Sequence, residues 1–144
     1  MNYYISDLHF FCNSQVDNGI GENYDSRPFK SLDEMHNYML SRWNEKITNG
    51  DTVYILGDIC HHMRMEQADE FIKKLNGKKY LIKGNHDKNY DPRLFADIQD
   101  FMTASVNGQY FALMHYPMLS WPKKNSGSIQ LHGHIHARMD YSGL

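Results

Sequence analysis

Five short, separated segments of this sequence carry the side chains that bind transition metals. They combine carboxylate, amide and imidazole groups, often beside a glycine: Asp7-Leu8-His9, Gly57-Asp58, Gly84-Asn85-His86-Asp87, His115 and Gly133-His134-Ile135-His136. Mixed imidazole and oxygen donors suit Mn, Fe, Zn or Ni better than Mg or Ca, which prefer oxygen ligands alone. Most of the segments follow an apolar, strand-like run. Together they predict a preformed metal cluster.

Each segment also has a simpler explanation when it is taken alone. Asp7 and Asp58 could cap turns, the residues from Asn85 to Asp87 could form a β-turn, and single histidines are often packed in a core. The chemical interpretation assigns more specific roles. Asn85 supplies a neutral amide oxygen, His86 could donate a proton, and Asp87 could orient the His86 ring through a ring nitrogen. No segment is decisive alone, whereas their ordered combination is specific.

The elements that must position these segments follow from the hydrophobic pattern. A capping box at Ser31–Glu34 begins one helix, which Asn49-Gly50 ends, and apolar residues at helical spacing predict a second helix over 66–75. Aromatic and β-branched runs predict strands over 3–5, 52–56 and 79–83. Strands alternating with helices predict a parallel sheet, whose ligands bind beyond the carboxyl ends of its strands.

The second half of the sequence has a different pattern. Strand-like runs over 98–106 and 109–114 flank Asn107-Gly108, a strong hairpin signal, and 128–131 predicts a last short strand. A hairpin after a βαβ half suggests a second sheet packed on the first. The polar stretch 13–27 predicts a surface loop.

Length, charge and cysteine content narrow the class of protein. A chain of 144 residues is long enough for one domain and too short for two. The net charge of -2 gives no broad attraction to nucleic acid or to an anionic membrane. Two cysteines cannot make a disulfide framework, no run is long enough to span a membrane, and the first residues leave no room for a signal peptide. We therefore expect a cytoplasmic protein.

The ordered segments resemble the calcineurin-like metallophosphoesterase superfamily, whose pattern runs Asp-x-His, Gly-Asp, Gly-Asn-His-Asp/Glu, His and Gly-His-x-His. Arg27-Pro28-Phe29 and His115-Tyr116-Pro117-Met118 are similar to a small bacterial and phage-type subgroup. The resemblance covers essentially the whole chain. It implies one α/β domain over 1–144, with two packed mixed β-sheets flanked by helices in an α/β/β/α sandwich. Family members usually add a strand after Gly-His-x-His, and the sequence ends at Leu144, so the presence of that strand is left open.

The resemblance also implies a role for each matching position. The first metal ion would be held by Asp7, His9, Asp58 and His136, and the second by Asp58, Asn85, His115 and His134. His86, with Asp87, would act near the leaving group. The implied activity is that of a dinuclear metal-dependent phosphoesterase with two divalent or trivalent ions (Mn, Fe, Zn or Ni). A metal-bridging hydroxide would attack a phosphomonoester or phosphodiester in line.

Substrate-binding residues are less certain from the sequence. Arg27 and Asn85 are the best candidates. A guanidinium matches phosphate geometry, and Arg27 is preferred among the arginines because of its subgroup context. Other candidates are listed here with their alternative as packing or surface residues: Arg64, Arg93, His61, His62, Tyr24, Tyr116 and Trp121. Cys60 is expected to pack in the core. The partner expected is a small phosphorylated molecule, with nucleotides among the candidates. Two alternatives stay open, a non-catalytic metal-binding scaffold module and a structural or regulatory metal protein.

Overall fold

A computed structural model describes residues 1–17, 19, 24–61 and 63–136. In this part of the chain, seven strands form two sheets, and two α-helices accompany them. The elements in chain order are β1 (Asn2–Ile5), α1 (Leu32–Lys46), β2 (Thr52–Ile55), α2 (Met65–Ile72), β3 (Lys78–Ile82), β4 (Asp97–Gln99), β5 (Phe101–Val106), β6 (Gln109–Met114) and β7 (Ile129–Leu131).

The first sheet has the strand order β1-β2-β3-β4, and all of its strands are parallel. Tyr4, Tyr54 and Tyr80 are register partners, and their rings stack at centroid distances of 5.2 and 5.0 Å. Because side chains alternate along a strand, neighbouring Val53 and Ile55 point to the opposite face and are fully buried. Parallel strands bring all their carboxyl ends to one edge, where three of the predicted metal-binding segments follow β1, β2 and β3.

Both helices cover the same face of this sheet. The predicted capping box begins α1, since the Glu34 backbone N–H donates to Ser31 Oγ (3.1 Å) and Glu34 Oε2 accepts from the Lys30 backbone N–H (2.8 Å). Trp43 of α1 and Phe71 of α2 belong to one core cluster with the buried residues of β2 and β3. Burying a side chain of this size contributes about 1.5–3 kcal/mol, so this layer anchors the sheet.

The second sheet has the order β5-β6-β7, with β5 and β6 antiparallel and β6 and β7 parallel. The hairpin turn is at the predicted place, and Asn107 and Gly108 both have positive φ (50° and 81°). The prediction of one strand over 98–106 is wrong. Ile98 pairs with Leu81 in the first sheet, whereas Phe101 pairs with Met114 in the second, so the chain changes sheets at Asp100.

The two sheets pack through a smaller apolar cluster that contains Leu56, Ile82 and Leu113. The α/β fold with two packed sheets is therefore confirmed, although the first sheet is parallel rather than mixed. Within the described ranges the layers are helix, sheet and sheet, because both helices lie on the first sheet. The family's further strand would fall in 137–144, outside the described residues. A search of the described helices finds none with the length and apolar character needed to cross a bilayer.

Candidate metal centre

The predicted ligands meet at the carboxyl edge of the first sheet. Backbone pairing continues past the strand ends, since Asp7 N–H donates to Gly57 O (3.0 Å) and His9 N–H donates to Asp58 O (2.9 Å). The loops after β1 and β2 are thereby tied side by side. As a result, the side chains of Asp7, His9 and Asp58 lie against one another.

Three side chains form a first group of donor atoms. His9 Nε2 lies 3.3 Å from His136 Nε2 and 3.8 Å from Asp7 Oδ1, and His136 Nε2 lies 3.6 Å from Asp7 Oδ1. Donors that each sit about 2.1 Å from one ion are about 3.0–3.5 Å apart at common coordination angles. The His9–His136 distance falls in this range and the other two exceed it by about 0.1–0.3 Å, so small side-chain shifts would bring all three atoms onto a single shared cation.

A second group lies beside the first. His115 Nε2 is 3.1 Å from Asn85 Oδ1 and 3.4 Å from Asp58 Oδ2, and His134 Nδ1 is 3.0 Å from Asn85 Oδ1. Asp58 Oδ2 also lies 3.7 Å from His9 Nε2 of the first group. The Asp58 carboxylate thus stands between the two groups, which is where a bridging ligand would be needed.

The hydrogen bond at Nδ1 of His115 favours a cation at the other ring nitrogen, Nε2. His115 Nδ1 is 2.7 Å from Leu56 O, a carbonyl that can only accept, so Nδ1 carries the hydrogen. The Nε2 lone pair of the neutral ring then faces Asp58 Oδ2 and Asn85 Oδ1, which are also acceptors. A positive charge among three facing acceptors would stabilise this arrangement. The donor set therefore fits a transition-metal ion.

A proton can take the place of that cation. Burial lowers the pKa of His115, but its hydrogen bonds with Asp58 and Leu56 O and the charges of Asp58 and Asp7 together outweigh burial, so the pKa is raised overall. Burial likewise raises the pKa of Asp7, yet hydrogen bonds from His9, Ser6 and the His134 backbone lower it to about 2. The pKa of Asp58 is also lowered, against the effect of burial, by hydrogen bonds from His115 and the His86 backbone. Both carboxylates are therefore ionised at neutral pH and able to bind cations.

The backbone at most of the ligands is strained. Five predicted ligands have φ in the left-handed region: Asp7 (53°), His9 (50°), Asp58 (58°), His134 (72°) and His136 (50°). This conformation costs a residue with a side chain roughly 1–2 kcal/mol. Such strain is retained mainly at functional sites, where the surroundings hold it in place.

Two glycines allow the backbone to approach the carboxylates. A Cβ at Gly84 would overlap the Asp58 carboxylate and lie 2.7 Å from the Asp58 N. A Cβ at Gly133 would overlap Asp7 Oδ2 and lie 2.7 Å from Ser6 Cβ. Glycines beside the ligands in the sequence are therefore explained by close packing around Asp7 and Asp58.

Asp87 makes hydrogen bonds that the sequence did not predict. Its Oδ2 accepts from the backbone N–H groups of Asp58 and Gly84 (both 2.8 Å), and its Oδ1 accepts from Ile59 N–H (2.9 Å) and Tyr90 O–H (2.8 Å). Both oxygens are thus occupied by donors other than the His86 ring. Asp87 thereby fastens the loops after β2 and β3 together, and its role in orienting His86 stays a prediction.

Arg27 also lies differently from its prediction as a substrate ligand. Its guanidinium donates to Asp7 O and Leu8 O (both 2.7 Å) and pairs with Asp25 Oδ2 at 3.3 Å. The side chain is mostly buried, and its hydrogen bonds hold the backbone of the first predicted metal-binding segment. Sequence reasoning missed Asp25, whose Oδ1 lies 2.7 Å from His136 Nδ1. In the sequence, the only indication that Asp25 could matter is its place in the polar stretch before Arg27.

A cleft of about 300 Å³ opens onto the donor groups. Besides the ligands it is lined by Cys12, Ser14, Gln15, Tyr24, His61 and His86. Of the secondary candidates, His61 lies in this wall, and the rings of Tyr24 and Tyr116 stand edge-on to His136 and His134 at 5.4 and 4.7 Å. His62 lies outside the described residues.

The remaining secondary candidates lie elsewhere. Arg93 pairs with Asp91 at 2.8 Å, Arg64 precedes α2, and Trp121 Nε1 donates to Ser128 O (3.2 Å). None of these three lines the cleft. Cys60 is buried in the main core, as predicted.

Comparisons with known proteins agree with this geometry. A family model described as calcineurin-like phosphoesterase matches residues 3–116. Over 94% of its length the chain is 35% identical to the uncharacterized protein MJ1445 of Methanocaldococcus jannaschii, of which the match covers 69%. The gene 66 protein of Mycobacterium phage D29 is 28% identical over 71% of the chain and 66% of its own length. The chain thus spans about two thirds of these relatives.

One solved structure is similar over nearly the whole chain. It is the protein of unknown function AQ665 from Aquifex aeolicus, with a TM-score of 0.69 and 28% identity. The match covers 99% of this chain and 82% of that one. The arrangement of the two sheets is therefore shared with a known protein fold.

Proposed function

The chain belongs to the calcineurin-like phosphoesterase family, and from this premise we propose that it hydrolyses a phosphomonoester or phosphodiester at a centre of two transition-metal ions. The observation that carries the proposal is the position of Asp58, whose Oδ2 lies 3.7 Å from His9 Nε2 in one donor group and 3.4 Å from His115 Nε2 in the other. A carboxylate between two such groups is suited to bridge two ions.

The proposed ligand sets are those that the sequence suggested. One ion would take Asp7, His9, Asp58 and His136, and the other Asp58, Asn85, His115 and His134. The mixture of imidazole and oxygen donors suits Mn, Fe, Zn or Ni. When bound, two such ions activate a nucleophile at neutral pH and neutralise charge on the phosphoryl group.

The remaining chemistry falls to His86, which lines the cleft. Its backbone N–H donates to Asp58 Oδ1 at 2.9 Å, so the residue is held next to the proposed bridging carboxylate. Its ring packs 5.5 Å from the ring of His9. We propose that His86 donates a proton to the departing alkoxide, which is the expected role for an imidazole beside the reacting phosphoryl group.

The size and lining of the cleft support a small substrate. A volume of about 300 Å³ is at the lower end of the range for small-molecule sites. Tyr24 lies at its edge with 43% of its surface exposed and offers a flat surface for a base or sugar. A small phosphorylated molecule, with nucleotides among the candidates, is the substrate class we propose. The two buried free cysteines support action in a reducing compartment such as the cytoplasm.

The proposal is tested with the protein reconstituted with Mn and assayed on p-nitrophenyl phosphate and bis(p-nitrophenyl) phosphate. We expect metal-dependent turnover that Asp58→Asn lowers by at least about a hundredfold, because the bridging charge is lost. The exposed Asp100→Asn is the matched control and should retain full turnover. Absence of metal-dependent turnover, or full activity of Asp58→Asn, would overturn the proposal.

A further inference from the structure

We infer that His61, anchored by Cys12, is a positioning residue for His86. The inference rests on the proposed function, since it concerns how the proton donor of that reaction is held. His61 lies three residues after Asp58, in the loop that follows β2, and it faces the same cleft as His86. Neither His61 nor His86 belongs to the proposed ligand sets.

The two imidazole rings are in direct contact. Their centroids lie 4.0 Å apart with an angle of 55° between the planes, closer than the 5.5 Å between His86 and His9. His61 also contacts His9, at 5.9 Å. The three rings therefore form a triangle, in which the His86 ring packs against one imidazole from the loop after β1 and one from the loop after β2.

His61 itself is fixed at two points. Its backbone N–H donates to Phe10 O at 2.9 Å, and its Nδ1 lies 2.9 Å from Cys12 Sγ. Cys12 is only 3% exposed, and its sulfur also lies 3.1 Å from Ser14 Oγ. The thiol is thus a buried anchor rather than an exposed reactive group. It holds one edge of the His61 ring, and that ring in turn packs against the His86 ring.

This packing bears on the proton transfer. A donor must lie within hydrogen-bond reach of the leaving oxygen, and a misplacement of about 1 Å can cost a hundredfold in rate. Without His61, the His86 ring gains other rotamers and spends less time in reach. The loss should be largest for esters with poor leaving groups, because these depend on protonation, and small for p-nitrophenyl esters, which depart without it.

The test compares kcat and KM for p-nitrophenyl, phenyl and benzyl phosphate with Mn-loaded full-length protein. We expect His61→Ala to lower kcat for the benzyl ester about tenfold and for the p-nitrophenyl ester at most about twofold, with KM and metal content unchanged. In the His86→Ala background the same change should add no further loss, because His61 acts through His86. His61→Phe, which keeps a ring without the Nδ1 anchor, should be intermediate.

The two cysteines provide a matched pair of controls. Cys12→Ala should show the same leaving-group dependence as His61→Ala, but more weakly. Cys12→Ser should behave like the wild type, since a hydroxyl can still hold His61 Nδ1. Cys60→Ala removes an equally buried thiol from the residue adjacent to His61. We expect it to lower the melting temperature and to leave the leaving-group dependence as in the wild type.

A second measurement does not depend on turnover. In imidazole NMR spectra of the metal-free protein, the His86 ring signals should shift in His61→Ala and in Cys12→Ala, and stay in place in Cys60→Ala. Equal loss for all three esters, additive loss in the His86→Ala background, or unmoved His86 signals would overturn the inference. If no ester is turned over, the proposed function fails, and the NMR result still decides whether His61 positions the ring.

Discussion

The early ligand segments and the last one are held in different ways. Asp58 and His115 are buried, and the loops around Asp58 are fastened by the four hydrogen bonds of Asp87. His134 is exposed, and its segment is held through the backbone contact of His134 N–H with Asp7 Oδ1 (3.2 Å) and the contact of His136 with Asp25. The early part of the centre is therefore organised by the fold, whereas the last part is held mainly by its contacts with Asp7 and Asp25.

The largest effect should come from removing the fastening of the early part. Asp87→Ala leaves three backbone N–H groups and the Tyr90 hydroxyl without their acceptor, and each buried unpaired group costs about 1–3 kcal/mol. We expect the free energy of unfolding to fall by at least about 3 kcal/mol in urea titrations. The exposed Asp100→Ala should change it by less than about 0.5 kcal/mol. If both variants were equally stable, the early part would not be organised by Asp87.

The sequence predicted the features that depend on neighbouring residues. The Ser31–Glu34 capping box and the Asn107-Gly108 turn are local, so their residue types determine their geometry. The meeting of the metal-binding segments was predictable because parallel strands end at one edge of a sheet. Family resemblance then assigned the individual ligands, and the contact distances agree with that assignment.

Features that depend on distant contacts were not predictable. The change of sheets at Asp100 is decided by pairing with Leu81 on one side and Met114 on the other. Asp87 and Arg27 belong to suggestive motifs, but each turns to backbone groups that only the folded chain brings near. Likewise, Asp25 acquires its role from a histidine 111 residues away.

The contact of Asp25 with His136 can be removed to disturb the last part of the centre without changing the early part. Asp25→Asn removes the charge that orients His136, and such outer partners of metal-binding histidines are typically worth ten- to a hundredfold in metal affinity, or about 1.4–2.7 kcal/mol. We expect Mn affinity, measured by calorimetry, to fall within this range. Asparagine keeps an oxygen for the Arg27 guanidinium, which also donates to Asp7 O and Leu8 O, so the loss of folding stability should be smaller than that of Asp87→Ala. If Asp25→Asn left Mn affinity unchanged and strongly lowered folding stability, the last part of the centre would be organised by the fold, contrary to the difference drawn above.

The smallest effect should come from removing the Tyr90 hydroxyl, which makes two hydrogen bonds in the early part. The Tyr90 hydroxyl donates to Asp87 Oδ1 at 2.8 Å and accepts from Cys60 N–H at 3.3 Å, while the ring is almost fully buried. Tyr90→Phe keeps the ring and loses both bonds, so the free energy of unfolding should fall by about 1–2 kcal/mol.

Metal affinity of Tyr90→Phe should stay within about twofold of the wild type, because three backbone donors still hold Asp87. Thermal unfolding and calorimetry on the same preparation measure the two quantities together. A fall in affinity as large as that of Asp25→Asn would mean that the early ligands also depend on their outer partners one by one. A preserved affinity would mean that the Asp87 bonds act as a redundant set, which is what separates the early part of the centre from the last.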